Sequence, residues 1–328
     1  MLVESVPNVS EGRRHEIVDR LAEALVSVPG VYLLDRTSDA SHNRSVFTVA
    51  GEHEPVAAAL EEMVGQALDE IDMETHIGEH PRIGAVDVVP FVPLADTPMD
   101  ACVEMARAFG RRIAARWDLP VYLYAQAATR ADRVRLADVR RGGYEGLKVE
   151  ITHNGRQPDF GPERMHPRAG AVAVGARPFL IAWNINLDSD DVELAKRIAR
   201  RVRESGGGLP RVQANGFRVE EPERGHPARA QVSMNLLDFR TTPMWRAWEV
   251  VGELAAEDGV ELAESELIGL APLAAFAAVA DHADAPSDDA VEARLEAAAS
   301  AIKLRDFSPL MALELRLAAA RDAVGGEA

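Results

Sequence analysis

The stretch FLIAWNINLDSDDVELAKRIARRV, residues 179–202, decides how this chain folds. Residues 179–187 read as a strand, and after the acidic turn Leu194, Ile198 and Val202 recur at the spacing that lines one face of a helix. Downstream, 211–219 and 230–239 read as two strands joined by a charged turn that contains Pro and Gly. Thr242-Pro243 then opens a helix with a buried stripe of Met244, Trp248 and Val251, and 260–267 is again a strand. The order is β-α-β-β-α-β, the split βαβ plait.

The same order stands upstream. Residues 2–7 read as a strand, Ser10-Glu11-Gly12 offers a helix start, and Ile17, Leu21 and Leu25 stripe that helix. Strands follow at 31–34 and 45–50, separated by the polar loop RTSDASHN. Pro55 suits a first helical position, Val56, Leu60, Met63 and Leu68 form the helix's buried face, and 85–92 returns as a strand. A further helix is striped by Cys102, Ala106, Phe109 and Ile113, and 121–124 is one more strand. The expected fold class is α+β: two ferredoxin-like (βαββαβ) subdomains over 1–177 and 178–284, and a helical tail over 285–328 whose second helix opens at Ser308-Pro309. Between the plaits, 141–170 is rich in Gly, Pro and polar residues, and so long an irregular stretch in a compact chain points to binding.

Composition narrows the function. A formal charge of −17 argues against nucleic acid as a partner, because a strongly acidic surface repels phosphate; local arginine clusters still bind small anions. Cys102 is the only cysteine, so an intrachain disulfide is impossible and a reducing cytoplasm is the expected location. The N-terminus lacks a basic region followed by an apolar core. The longest apolar run, 267–280, is broken by Gly269 and Pro272 and falls short of the ~20 residues of a membrane span.

The chemistry gathers in THIGEHPRIGAVD, residues 75–87. As H-x-x-E-H it matches an inverted zinc-peptidase pattern, with His76 and His80 as ligands, Glu79 as base, and His42 or His166 as a distant third ligand. That reading needs both histidines on one helical face, and Gly78 and Pro81 oppose it, since a residue before proline is pushed out of the α region. The alternative is a loop entering a strand, with His80 held by Pro81 beside Glu79, Arg82 and Asp87 and able to move protons near neutral pH.

Five segments in register carry a resemblance: VPNVSEGRR, HIGEHPRIGAVDVVPFVPL, LPVYLYAQAA, PDFGPERMHPRAGAVAVGARPFLIAWNINL and AQVSMNLLDF. Together, from about Val3 to about Ala280, they resemble the glutamate formimidoyltransferase family, the formiminotransferase part of formiminotransferase-cyclodeaminase. The cyclodeaminase part has no counterpart. The resemblance implies two ferredoxin-like subdomains with a ligand cleft between them. It implies transfer of a formimidoyl group from N-formimidoyl-L-glutamate to N5 of tetrahydrofolate, a co-substrate, with no metal and with a homodimer as the assembly. Alternatives of the same lineage are a homologue acting on 5-formyltetrahydrofolate or another formimidoyl donor, and a non-catalytic folate-binding protein.

By the resemblance, the catalytic histidine of the G-E-H-P-R motif is His80. Folate binding falls on Gly161, Pro162, Glu163, Arg164, Met165, His166, Pro167, Arg168, Ala169 and Gly170, where glycines admit close backbone approach and Arg164, His166 and Arg168 offer cations to an acidic tail. A cationic amidine donor calls for acids near its nitrogen, and Asp35, Asp39 and Glu79 are the candidates; the aligned position itself holds Thr37. Asn43-Arg44 matches the family's N-R pair and, with Arg82, is expected to grip a glutamate carboxylate. Asn8 and Ser10, at a strand-to-helix turn, and Arg177, Asn184 and Asn186, at a strand end, are the remaining expected substrate contacts.

Overall fold

In the computed structural model, which describes residues 1–153, 155–221, 226–287 and 290–325, the chain divides into two compact units, Met1–Pro178 and Phe179–Ala323. The first contains β1 (Leu2–Ser5), β2 (Asn8–Val9), α1 (His15–Val26), β3 (Val31–Asp39), β4 (Arg44–Glu52), α2 (His53–Glu70) and β5 (Val86–Pro93). These form the expected plait: β1 runs antiparallel between β4 and β5, and β3 closes the edge on β4. The sheet then grows in parallel, because α3 (Met99–Trp117) leads to β6 (Val121–Ala125), and β7 (Val172–Ala176) inserts between β5 and β6.

That parallel extension explains why β5, VDVVPFVP, shows no alternation. Both faces of a parallel sheet are covered, so the strand reads as one apolar run. On one side Phe91 packs edge-to-face on Phe109 of α3. On the other, Val88 clusters with Val139 of α4 (Leu136–Val139) and Leu147 of α5 (Gly143–Glu150). So 141–170 is not irregular throughout: α5 lies within it, and its tail leads directly into β7.

Two helix starts differ from the sequence reading, for physical reasons. The first helix begins at His15 rather than at Ser10. Ser10 is buried, its N–H donating to Ala85 and its hydroxyl to Gly84, while the Glu11 carboxylate takes up the free N–H groups of Arg13 and Arg14. The second starts at His53, and Pro55 sits inside its first turn, where a missing N–H costs nothing.

The second unit repeats the plait with β8 (Ile181–Leu187), α6 (Val192–Val202), β9 (Val212–Glu221), β10 (His226–Leu236), α7 (Met244–Ala256) and β11 (Leu262–Ile268). The sheet order is β11-β8-β10-β9, all antiparallel. The charged turn expected between β9 and β10 includes residues 222–225, which lie outside the described residues, as do 326–328 of the tail. Asp191 caps α6 through the N–H groups of Glu193 and Leu194. Gly216 lets α6 lie against β9, since a Cβ there would stand 2.3 Å from the Lys196 nitrogen.

After β11 come α8 (Leu273–His282), α9 (Val291–Ala301) and α10 (Leu313–Gly325). Ser308-Pro309 opens only a single 3₁₀ turn, Pro309–Met311, and α10 starts beyond it. The segment between α9 and that turn pairs with β11: the Ser265 N–H donates to Lys303 and the Arg305 N–H to Ser265. The tail thereby adds a short parallel edge to the second sheet.

Candidate active site

His80 lies in the turn-rich segment that leads into β5, with no helix between Glu70 and Val86. The paired helical presentation that zinc binding requires is therefore missing. His76 is also fully engaged: its Nε2 donates to the Asn43 carbonyl at 3.0 Å and its Nδ1 accepts from Arg82 Nε at 3.2 Å. Arg82 in turn forks onto the Glu145 carboxylate of α5 at 2.8 and 3.1 Å. Glu74, at the other end of the segment, takes Tyr144 and Lys148 of the same helix. Helix α5 thus clamps the histidine segment at both ends, and Arg82 and His76 belong to that clamp.

Asn43 holds the third side. It sits in the left-handed region at φ 48°, which asparagine tolerates, accepts the Gly12 N–H at 3.0 Å and donates to the Ile77 carbonyl at 3.1 Å. Asp39 accepts the N–H groups of Ser41 and His42, and its other oxygen meets His42 Nδ1 at 2.8 Å. The His42 backbone N–H, aided by its ring, holds the Asp39 carboxyl down at about 2. His42 then stands edge-on to His80, ring centres 6.3 Å apart.

What remains around His80 is a cationic nest. Its Nδ1 lies 3.4 Å from an Arg44 guanidinium nitrogen, which can only donate, so Nδ1 is the acceptor and Nε2 carries the hydrogen. Nε2 points toward Asp87, 4.0 Å away, a carboxylate only 1% exposed that is ion-paired with Arg140 at the end of α4. Three N–H groups here are buried and find no acceptor among the described residues: His80 Nε2, Arg44 Nε and Arg140 Nε. Burial, then Arg44 and Arg140, push the His80 pKa down to about 3, far below the near-neutral value expected from a loop histidine. Arg44 is also lowered, by its own burial and by Arg140. Arg140 and Asp87 are the residues sequence reasoning undervalued: Asp87 was visible only as a neighbour in the motif, and Arg140 carries no local signal.

The glycine-bounded segment 161–170 packs against this site. Gly84 and Gly170 form an antiparallel bridge, the Ala85 N–H donates to Ala169 and the Ala171 N–H to Ile83. A Cβ on Gly84 would fall 2.0 Å from the Ala171 carbonyl oxygen, so only glycine allows this approach. Within the segment, His166 Nδ1 accepts the Ala169 N–H at 2.9 Å, and burial followed by Arg168 lowers its pKa. Arg164 and Arg168 are exposed, 3.5 and 3.8 Å from Asp118 and Asp72. Ala169 is buried, and Met165 fills the gap between two apolar clusters.

The other expected residues are dispersed. Asn8 donates to the Val6 carbonyl, Arg177 to that of Pro178, Asp35 is a strand residue opposite Thr48, and Glu79 is exposed. Asn184 and Asn186 belong to the second unit, where they bond Glu266 and Glu264.

The formiminotransferase domain's N-terminal subdomain matches residues 2–177, and the formiminotransferase domain itself matches 182–309. The second match runs past Ala280, where the motif resemblance ends, and takes in the tail edge that pairs with β11. The chain is 43% identical over 281 residues to a protein named glutamate formimidoyltransferase in Streptococcus pyogenes serotype M1, covering 86% of this chain and 92% of that one. It is 44% identical over 283 residues to a protein of the same name in Thermoplasma acidophilum, covering 86% and 91%. A formimidoyltransferase-cyclodeaminase of Sus scrofa is 43% identical over 281 residues, 84% of this chain and 51% of that protein. With matches to both domains across most of its length, the chain belongs to the formiminotransferase family.

Proposed function

We propose that this chain transfers the formimidoyl group of N-formimidoyl-L-glutamate to N5 of tetrahydrofolate, releasing 5-formimidoyltetrahydrofolate and L-glutamate, with His80 moving the proton. The observation that carries this reading is the trio of buried, acceptorless N–H groups on His80, Arg44 and Arg140. Buried donors without acceptors are rare because each costs about 1–3 kcal/mol. An anion supplies what they lack, and both substrates carry carboxylates. Arg44 and Arg140 are assigned to a donor carboxylate, and the 161–170 turn, bonded to the His80 segment, to folate.

The N5 lone pair attacks the formimidoyl carbon, and N5 loses its proton to His80. The tetrahedral carbon then expels the glutamate nitrogen, which takes that proton back. No bond to the protein forms. The neutral imidazole can accept a proton, but its pKa of about 3 makes it a feeble base. A carboxylate bound between Arg44 and Arg140 offsets the two charges that depress it and brings it toward the working range, where one group both takes and returns a proton. Asp39 is already committed to the His42 turn and Arg82 to Glu145, so these two act by shaping the site.

The decisive experiment is incubation of the purified chain with N-formimidoyl-L-glutamate and tetrahydrofolate, following glutamate release. Release that requires both substrates supports the reading. Turnover of 5-formyltetrahydrofolate with no release of glutamate overturns it in favour of the related formyl reaction. We further propose a cytoplasmic homodimer acting on these small molecules; sedimentation of the purified chain as a monomer would sink the dimer.

A further inference from the structure

Asp87 has two oxygens with different obligations. Its Oδ1 accepts the Ile83 N–H at 2.9 Å, which anchors the carboxylate to the backbone of the histidine segment. Its Oδ2 is held by Arg140 and stands 4.0 Å from His80 Nε2. That distance is beyond hydrogen-bonding range, and Nε2 has no other acceptor among the described residues. His80, Asp87 and Arg140 are 16%, 1% and 15% exposed at their side chains, so the contest for Oδ2 is settled in a nearly closed environment.

We infer that Asp87 is the positioning residue for His80, and that Arg140 keeps it out of reach until a substrate carboxylate draws the guanidinium away. This rests on the transferase reading of the same site and deepens it. Once Oδ2 is released, a movement of about 1 Å makes the hydrogen bond with His80 Nε2–H. The carboxylate accepts a hydrogen bond and no proton is transferred to it. The bond fixes the imidazole with Nδ1 as its basic atom, since the tautomer of a histidine follows from what its other nitrogen contacts. Binding of the donor and readiness of the base become one event.

The charges facing His80 make this hand-over consequential. They are Arg44 from β4, Arg140 from the end of α4, His42 from the turn before β4, Arg82 from its own segment, and Asp87 from β5. Among these five, Asp87 is the only anion. A carboxylate that moves from Arg140 to His80 therefore brings the one negative charge of the group into contact with the imidazole.

The test uses the full chain labelled with ¹⁵N-histidine and L-glutamate as the probe. In the parent protein, saturating glutamate is expected to raise the His80 titration midpoint by at least one unit. In Asp87→Asn, which keeps an acceptor for the Ile83 N–H, calorimetry should still detect glutamate, but less than half of that rise should remain. Arg140→Gln should raise the midpoint with no glutamate present, and adding Asp87→Asn to it should remove most of that gain. Asp87→Asn should also lower kcat about tenfold with KM for the donor within about twofold. An undiminished glutamate-induced rise in Asp87→Asn, or an Arg140→Gln gain that survives in the double variant, overturns the inference. The parent titration needs no variant: if glutamate binds and the His80 midpoint stays where it was, the hand-over is refuted while the transferase reading stands. If the chain neither binds glutamate nor releases it from N-formimidoyl-L-glutamate, both fall.

Discussion

The two units share one topology and put their buried polar groups to opposite uses. On the second sheet, a cluster of polar side chains is joined by hydrogen bonds and ion pairs. Asn184 donates to Glu266 and Asn186 to Glu264, Gln231 donates to Asn186, and Arg229 and Arg305 pair with those same glutamates. Each of the two asparagines, and the glutamine, finds its partner within the unit. On the first sheet, the cluster of Arg44, His80, Asp87 and Arg140 holds three buried N–H groups with no acceptor among the described residues. A buried polar group with a partner is satisfied where it stands, whereas an unpartnered one calls for an acceptor from outside the protein. This contrast separates the two units where the plait they share does not.

The strongest attempt to break this contrast is His80→Ala. Loss of a positioned proton-transfer group should reduce transfer by roughly 10²–10⁴-fold. The substitution also removes a buried N–H with no acceptor, so stability should change by less than about 1 kcal/mol. Turnover within tenfold of the parent would remove His80 from the chemistry. The same variant has a pH signature. The folded imidazole stays neutral down to about 3, whereas the unfolded one protonates below its ordinary 6.5. In that window the unfolded chain binds more protons, so the parent loses stability as pH falls from about 6.5 to about 3. Denaturant titrations should show a shallower loss in His80→Ala over that window.

Gly84→Ala comes next. Its Cβ would meet backbone carbonyl oxygens of Ala171 and Ala169 at 2.0 and 2.5 Å, and backbone gives way poorly. A cost of about 3 kcal/mol is expected in urea unfolding, together with weaker folate binding as the 161–170 turn separates from the His80 segment. A variant as stable as the parent would show that this contact does not hold the two motifs together. Arg44→Met should be milder, raising KM for the donor about 10- to 100-fold through loss of a charged hydrogen bond worth about 1.5–3 kcal/mol. An unchanged KM in steady-state kinetics would assign the carboxylate elsewhere.

Much of this was legible in the sequence, and the gaps have identifiable causes. Hydrophobic periodicity exposed both plaits, since Leu194, Ile198 and Val202, like Ile17, Leu21 and Leu25, mark a buried helix face that local spacing alone reveals. β7 escaped because VAVGA is short, is buried throughout and shows no alternation of apolar and polar residues to mark it as a strand. His80 stood out in its motif as a candidate, and the bounds 161–170 came from the family resemblance within the Gly- and Pro-rich stretch 141–170. Arg140 did not stand out, because only the docking of α4 on the sheet brings it to Asp87. The weak basicity of His80 was equally hidden. Residue type gives a pKa near neutrality, and the departure comes from burial and from arginines contributed by distant segments.

The smallest effect should come from the satisfied side of the comparison, and it tests the contrast from below. Asn184→Ala removes one donor to Glu266, which keeps its ion pair with Arg305. The carboxylate is therefore not stranded, and the cost should be about 1 kcal/mol, the worth of one ordinary hydrogen bond. KM and kcat should stay within about twofold of the parent, because Asn184, Asn186, Gln231 and the two glutamates already have partners within the unit. The sequence had suggested Asn184 as a substrate contact. If the variant unfolds at the expected denaturant concentration but its KM for the donor rises tenfold, the second network opens to receive substrate. The line between architecture and site would then have to be drawn by ligand response instead of by hydrogen-bond satisfaction.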